Sequence, residues 1–573
     1  MGTTNWWMFH GDTAHTGEVT DSPINSGNVA GLKLIHKLQV PGSILSTPAV
    51  ADKYIYVGLA NPAGVETLPG GVGGSVLKIN IETGITEHSF SWVININDRD
   101  SHGFTGMGCT PAVADGLVTF MGFNGICYCL KAEDMSLAWK TDLRFNDPGQ
   151  NQPVRNVANW GQEPPTPQAA GWSSPCIANG KVWVGIGEGE NADLYSFVYC
   201  LDAQTGKVIW IFCTNKFSSD PDQHNEPNVL PAVMTVPPIN APFTTTTDTP
   251  VTLGCSVWSS PAYDPELDIL YCTTGNPSPD GELPSVGYSV GVLALQGSTG
   301  TFLGFTQFPK ESSYRPSDMD VDIGGAATLY SINGRKVVGV GCKNGSYMIC
   351  DARTLEIIKW RQMLPYMNDG VTQIPTVDPH GLDDFAHMGA FYTNEQSNTI
   401  PTDPNPNYSG ENFHGTYSTA AICSPQQKLF IGIGGNNYHW ICAGIDFQTT
   451  PFMRAMNWET LDDAWPMDDS NPRKYTKAAA AMYMNAGESG ISVPAVVNDV
   501  VFMSTTQVAL YAFSATDGTL LWNDMTNFGS QTEGFMGGYG YCMGPAIWGS
   551  YVVAGALVQG RAAGGILNVY RIG

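Results

Sequence analysis

Charge is what this chain has least of. Only 14% of its 573 residues are Asp, Glu, Lys or Arg, and 27 basic residues against 52 acidic ones leave a net charge of −25. A nucleic-acid surface needs a basic stripe to displace counterions from phosphates, so that class of partner is excluded. Among 13 cysteines there is no Cys-x-x-Cys and no Cys-x-x-Cys-His, which removes the usual zinc, dithiol and haem-attachment signals. Their odd number leaves at least one thiol unpaired within a monomer. Cys127 and Cys129, two apart, would share one face of a strand but are poorly spaced for a mutual disulfide. There is no His-Glu-x-x-His and no Gly-rich phosphate loop of the P-loop type. No apolar run approaches the roughly 20 residues of a membrane helix. The opening Met1–Gly17 also lacks the basic and then apolar pattern of a secretory leader.

What is abundant is turn chemistry, with 65 Gly and 38 Pro beside 42% apolar residues. One phrase recurs: an apolar strand, a polar turn usually containing Thr-Gly, then a strand often ending in Trp. Examples are KINIETGITEHSFSW (Lys78–Trp92), LDAQTGKVIW (Leu201–Trp210) and YAFSATDGTLLW (Tyr511–Trp522), with a degenerate copy at AGIDFQTT (Ala443–Thr450). A hairpin of the form Pro-Ala-Val-x-(Asn/Asp)-Gly precedes most copies, as in CTPAVADGLVTF (Cys109–Phe120). Apolar strands broken by such turns read as antiparallel hairpins. A unit recurring at about fifty residues reads as a propeller, because one blade cannot bury its own faces. The expectation is an all-β, eight-bladed β-propeller of four-stranded antiparallel blades forming a single domain over 1–573. Its N- and C-terminal strands would close one blade, with Ile566–Ile572 beside Trp6–Phe9. Blade-end Trp residues would pack between blades. Asn146–Ala170, Phe217–Gly254, Gln362–Gly415 and Asp446–Gly487 read as long decorating loops.

A few residues depart from this repeat. Trp258 precedes its hairpin instead of ending a Thr-Gly turn strand; it offers a planar ligand a broad face, or is one more interblade residue. Asn276, before Pro277, offers an amide oxygen to a hard cation, or is a plain turn residue. Asp318, Asp320 and Asp322 alternate, so an extended strand would point all three carboxylates one way, toward a cation or toward solvent. Glu188 and Glu190 repeat that spacing at the end of a strand. Lys343 stands at a hairpin entrance, where it could hold a quinone oxygen or simply serve the turn.

Glu190, Trp258, Asn276, Asp320 and Lys343 occur in the order and nearly the spacing found in quinoprotein alcohol dehydrogenases, and the chain resembles that family. It is similar in particular to the polyvinyl-alcohol-dehydrogenase-like branch, through the Asp320-x-Asp322-x-Gly324 segment and the opening Trp7…His15-Thr16-Gly17. The resemblance implies an eight-bladed propeller binding pyrroloquinoline quinone together with calcium or a lanthanide. It implies that Trp258 is the cofactor floor and that Ser256 and Lys343 are further cofactor contacts. Glu190, Asn276 and Asp320 would ligate the metal, with Asp320 also the catalytic base. Asp322 stands where lanthanide-using members add a carboxylate, and the assignment between Asp320 and Asp322 stays open. A small-molecule or polymeric alcohol would be the substrate, with an external electron acceptor, in an extracellular or periplasmic setting. Thr105–Val113 lacks the adjacent cysteine pair and the arginine that many members carry there. A second expectation therefore stands beside the first: a non-catalytic propeller serving as a binding or assembly scaffold for protein partners.

Overall fold

Short apolar strands with tight turns can satisfy their backbone groups only by pairing with the next strand along the chain. The computed structural model describes residues 6–61, 73–93, 105–143, 145–147, 152–153, 171–187, 196–214, 234–235, 253–275, 277–278, 288, 290–307, 323–342, 346–363, 416–433, 451–468, 471–478, 492–505, 509–527, 544–557 and 564–573. Its sheets are the blades of an eight-bladed propeller, each running from an inner to an outer strand. Blades one to eight occupy residues 49–93, 112–142, 176–213, 262–307, 328–362, 421–457, 495–524 and 546–571. Blade six shows three strands among the described residues. In blade eight the outer strand comes from the other end of the chain, where Lys33–Val40 pairs antiparallel with Gly565–Arg571. This corrects the expected partner: Trp6–Phe9 does not pair with the C-terminal strand and instead lies against the inner strands of blades one and two, through Val50 and Val113. Alternation explains the choice, since Leu34, His36 and Leu38 give Lys33–Val40 a period-two inner face that WWMF lacks.

The Thr-Gly turns have a packing role as well as a conformational one. Gly206, Gly300 and Gly518 take φ of +70°, +71° and +80°, and each lies under an indole of the preceding blade: Trp139, Trp210 and Trp465. Those indoles donate to backbone oxygens of the next blade, Trp139 to Ala203, Trp210 to Gly297 and Trp465 to Ala515. The same left-handed turn position holds Met135, Leu355 and Leu461 in blades two, five and six. The third strand of blade six is Met453–Asn457 and its docking indole is Trp465, both inside a stretch expected to be loop. The degenerate copy expected at Ala443–Thr450 lies outside the described residues. The nine cysteines whose side chains are described, Cys127 and Cys129 among them, are buried and carry no disulfide.

The N-terminal segment threads the axis. Carbonyls of Trp6, Trp7, Thr13, Ala14, Thr16 and Gly17 accept the N–H of Val50, Val113, Tyr263, Leu329, Ile422 and Val496. Each of those donors is the second residue of a blade's inner strand. Residues 6–19 thus form a strap inside the ring, touching six blades at one equivalent position. Three residues upstream of that position, a second set of ties joins neighbouring blades directly. Gly544 N donates to Thr47 Oγ1, Thr110 N to Ser174 Oγ, Ser174 N to Ser260 Oγ, and Ala326 N to Thr419 Oγ1, at 2.8–3.1 Å.

Candidate functional site

Counting five residues upstream from the strap-bonded position gives Leu45, Gly108, Trp172, Trp258, Gly324 and Tyr417 in blades one to six. Two glycines make room for three aromatic rings at this level. A Cβ on Gly108 would lie 2.6 Å from Phe123 Cζ and 2.7 Å from Trp172 Cζ3. A Cβ on Gly324 would lie 2.8 Å from Tyr417 Cδ1 and 3.3 Å from Trp258 Cη2. Leu45, Ala60, Phe123 and Trp172 form one apolar cluster against which the half-buried Trp258 packs. The result is an aromatic shelf around the axis, one level above the strap. Trp172 and Tyr417 were missed in the sequence, because neither ends a turn strand nor stands beside a carboxylate motif. Their signal was the constant offset from the Pro-Ala-Val hairpin.

Trp258 is held from both sides. Ser256 O accepts the Gly275 N–H at 2.8 Å, which ties the indole's stalk to the residue before Asn276. The Val257 backbone lies against Gly185, where no side chain would fit. Ser259 Oγ contacts Thr273 Oγ1, and Thr273 Oγ1 donates to Gly325 O at 2.8 Å. Trp258 therefore differs from the interblade indoles: its ring lies edge-on to Gly324 and is not stacked on a turn glycine.

Ser256 Oγ is fully buried and has no hydrogen-bond partner among the described residues. An orphaned buried hydroxyl is costly unless a ligand completes it. Together with a half-buried indole, it is the chemistry a flat polar-edged group would use, so the residues present fit a quinone. Trp258 and Ser256 are thus brought together. Glu190, Asn276, Asp320, Asp322 and Lys343 lie outside the described residues. Their described neighbours are Gly187, Gly275, Ile323 and Cys342. These either follow the second strand of a blade or precede the inner strand of one, and so belong to the same face of the ring as Trp258. Among the described residues no cluster of three or more His, Cys, Asp or Glu side chains could hold a metal.

Cys109, in the Thr105–Val113 segment, uses its sulfur structurally. Cys109 Sγ accepts the Met121 N–H at 3.2 Å and donates to Met121 O at 3.4 Å. Thr105 Oγ1 and Thr110 Oγ1 in that segment are also buried without partners among the described residues.

No family model matches the chain. It is 28% identical over 401 residues to the dehydrogenase subunit of a quinone alcohol dehydrogenase from Gluconacetobacter polyoxogenes, covering 66% of this chain and 48% of that protein. It is 25% identical over 383 residues to a quinohemoprotein alcohol dehydrogenase from Pseudomonas putida, covering 59% and 48%. Its relatives are quinoprotein alcohol dehydrogenases. The chain spans about half the length of these curated relatives. Among solved structures, a quinohemoprotein alcohol dehydrogenase from Comamonas testosteroni superposes with a TM-score of 0.65 at 15% identity, covering 100% of this chain and 81% of that one. A europium-containing methanol dehydrogenase gives 0.65 at 16%, covering 99% and 98%. At such identities these two share the fold. Among the described residues no helix is long and apolar enough to cross a membrane.

Proposed function

We propose that the chain, as one propeller domain over 1–573, is a quinone- and metal-dependent dehydrogenase that oxidises an alcohol at the Trp258 face. The observation that carries this reading is the orphaned Ser256 hydroxyl beside the half-buried Trp258 indole. Trp258 would give pyrroloquinoline quinone its flat apolar floor, while Ser256 Oγ and Lys343 would bond its polar edge. Glu190, Asn276, Asp320 and Asp322 are a hard-oxygen set suited to calcium or a lanthanide. The bound quinone and metal supply an electrophilic carbonyl that accepts two electrons and a proton. Asp320 receives the alcohol's hydroxyl proton, and the shelf of Trp172, Trp258 and Tyr417 excludes water from the reacting face. The substrate class is a small or polymeric alcohol, the electrons leave to an external acceptor, and the working compartment is extracellular or periplasmic. Support for these finer points is the sequence resemblance.

Titration of the protein with pyrroloquinoline quinone plus calcium or lanthanum tests the reading. Stoichiometric, metal-dependent binding with dye-linked alcohol oxidation is expected. Asp320→Asn should lower turnover by about a thousandfold or more while the fold and quinone binding persist. Failure to bind under either metal, or undiminished turnover in Asp320→Asn, would overturn it; the first outcome would leave a propeller used as a scaffold.

A further inference from the structure

The circumferential hydroxyl ties are incomplete. At the tie position, blades one, two, three, four and six carry Thr47, Thr110, Ser174, Ser260 and Thr419, whereas blades five, seven and eight carry Ala326, Val493 and Gly544. Ser260 N, Thr419 N and Val493 N therefore meet no side-chain hydroxyl from the following blade. The strap reaches the gaps at blades five and seven. Phe9 packs against Ala326 and Val493 together. One residue beyond each gap, a strap histidine takes the carbonyl: His15 Nδ1 lies 3.1 Å from Ala327 O, and His10 Nε2 lies 2.8 Å from Pro494 O.

The first gap is the seam between blades four and five, where the Trp258 stalk and the Gly324 stalk rise side by side. Thr13 O and Ala14 O accept the N–H of Tyr263 and Leu329, at 2.7 and 2.8 Å, so consecutive strap residues clamp the two strands that carry those stalks. The clamp is braced from within. Asp12 Oδ1 accepts from Ala14 N and Thr16 N, and Asp12 Oδ2 from Thr16 Oγ1. His15 is fully buried and neutral, and its carbonyl partner requires the proton on Nδ1. The donor is thus fixed in both charge and direction.

We propose that His15 is a positioning residue for the candidate site. By bonding Ala327 O at the seam where blade five lacks a tie hydroxyl, it sets the spacing between Trp258 and Gly324, where a planar group would lie. The proposal rests on the quinone reading of that site for its ligand, but not for its geometry.

The test compares His15→Phe, which keeps bulk and loses the donor, with His15→Asn, whose amide can replace Nδ1–H. A third variant adds Ala326→Ser to His15→Phe, restoring a hydroxyl for Ser260 N. Pyrroloquinoline quinone with lanthanum is the binding probe, and hydrogen exchange by mass spectrometry is followed at residues 262–264 and 328–332. His15→Phe should weaken quinone binding by roughly tenfold, the scale of one buried hydrogen bond, and speed exchange in both segments. His15→Asn should stay near wild type, and Ala326→Ser should recover most of the loss. Unchanged affinity in His15→Phe despite faster exchange would make the strap merely structural and overturn the proposal. If wild type itself binds no quinone, the functional reading falls. The positioning role is then judged by acrylamide quenching of Trp258, taken as the difference between each background and its Trp258→Phe version: increased quenching in His15→Phe supports it and no change overturns it. Should His15→Phe not fold, His15→Gln carries the same expectations, because its amide sits nearer the Nε2 position and misses Ala327 O.

Discussion

Burial lowers the pKa of His15 from 6.5 to about 3, with His10 beside it adding to the effect. The native protein keeps this ring neutral while the unfolded chain protonates it near 6.5, so unfolding takes up a proton across the interval. Its contribution is complete above pH 6.5 and is lost as the pH falls from there toward 3. The thermal midpoint should decline through that window, and His15→Asn should flatten the decline; an unaltered slope in the variant would reject the assignment. Asp463 poses the opposite case. Burial pushes its carboxyl up, but Arg454 and Arg361 outweigh burial and hold it below the ordinary value. Arg361 lies 2.6 Å and Arg454 3.2 Å from its two oxygens, and Tyr475 donates at 3.0 Å. Arg454 is almost wholly buried, so Asp463→Asn removes its only counter-ion among the described residues. A loss of about 3–5 kcal/mol in urea unfolding at pH 7 is expected.

Between residue and ring lies the docking turn. Gly300 combines a φ of +71° with Trp210 Cδ2 only 2.5 Å from where its Cβ would be. Gly334 has a φ of +82° and open space around it. Gly334→Ala should cost only backbone strain, roughly 1 kcal/mol, while Gly300→Ala should add the displacement of an indole bonded to Gly297 O, for about 2–3 kcal/mol in all. Equal losses in thermal unfolding would mean that the indole contact has no energetic weight. Leu461 shows how the element tolerates other residues: it adopts a φ of +62° at the same turn position, and the Trp465 indole docks on Gly518 of the next blade as its counterparts do. Met135 and Leu355 take the same left-handed conformation in blades two and five, so the constraint at this turn is a backbone conformation and not a particular residue.

A propeller has no edge only while its ring is shut. Here the closing bond is between the two ends of the chain, Lys33–Val40 with Gly565–Arg571, and His36 fills the docking place on Gly84 that indoles fill elsewhere. Removing residues 564–573 strips Tyr551–Leu557 and Lys33–Val40 of their shared partner. Broadened, less cooperative thermal unfolding and larger species in size-exclusion chromatography are the expected outcome. A sharp transition in a monomer would show that the strap alone holds the ring. The strap places the site at one mouth of the axis. It fills the level below the aromatic shelf, so a ligand resting on Trp258 would be approached from one face.

The sequence by itself determined the blades, their number and the interblade indoles, because strand alternation, turn chemistry and repetition are local and survive drift. It also singled out Trp258, whose place before its hairpin breaks the repeat. Tertiary structure alone decided which N-terminal segment closes blade eight, since WWMF and Lys33–Val40 are both plausible strands and the choice depends on which face is buried. It alone gathered Trp172 and Tyr417 beside Trp258, from blades 86 and 159 residues away in the chain. It alone revealed the strap, whose bonds use backbone carbonyls and therefore leave almost no trace in residue types. The histidines are the exception: His10 and His15 were visible as letters, but their roles depend on hydroxyls missing from Ala326 and Val493, hundreds of residues downstream. Local pattern encodes the parts, while the seam between parts is fixed by long-range packing that no window of sequence contains.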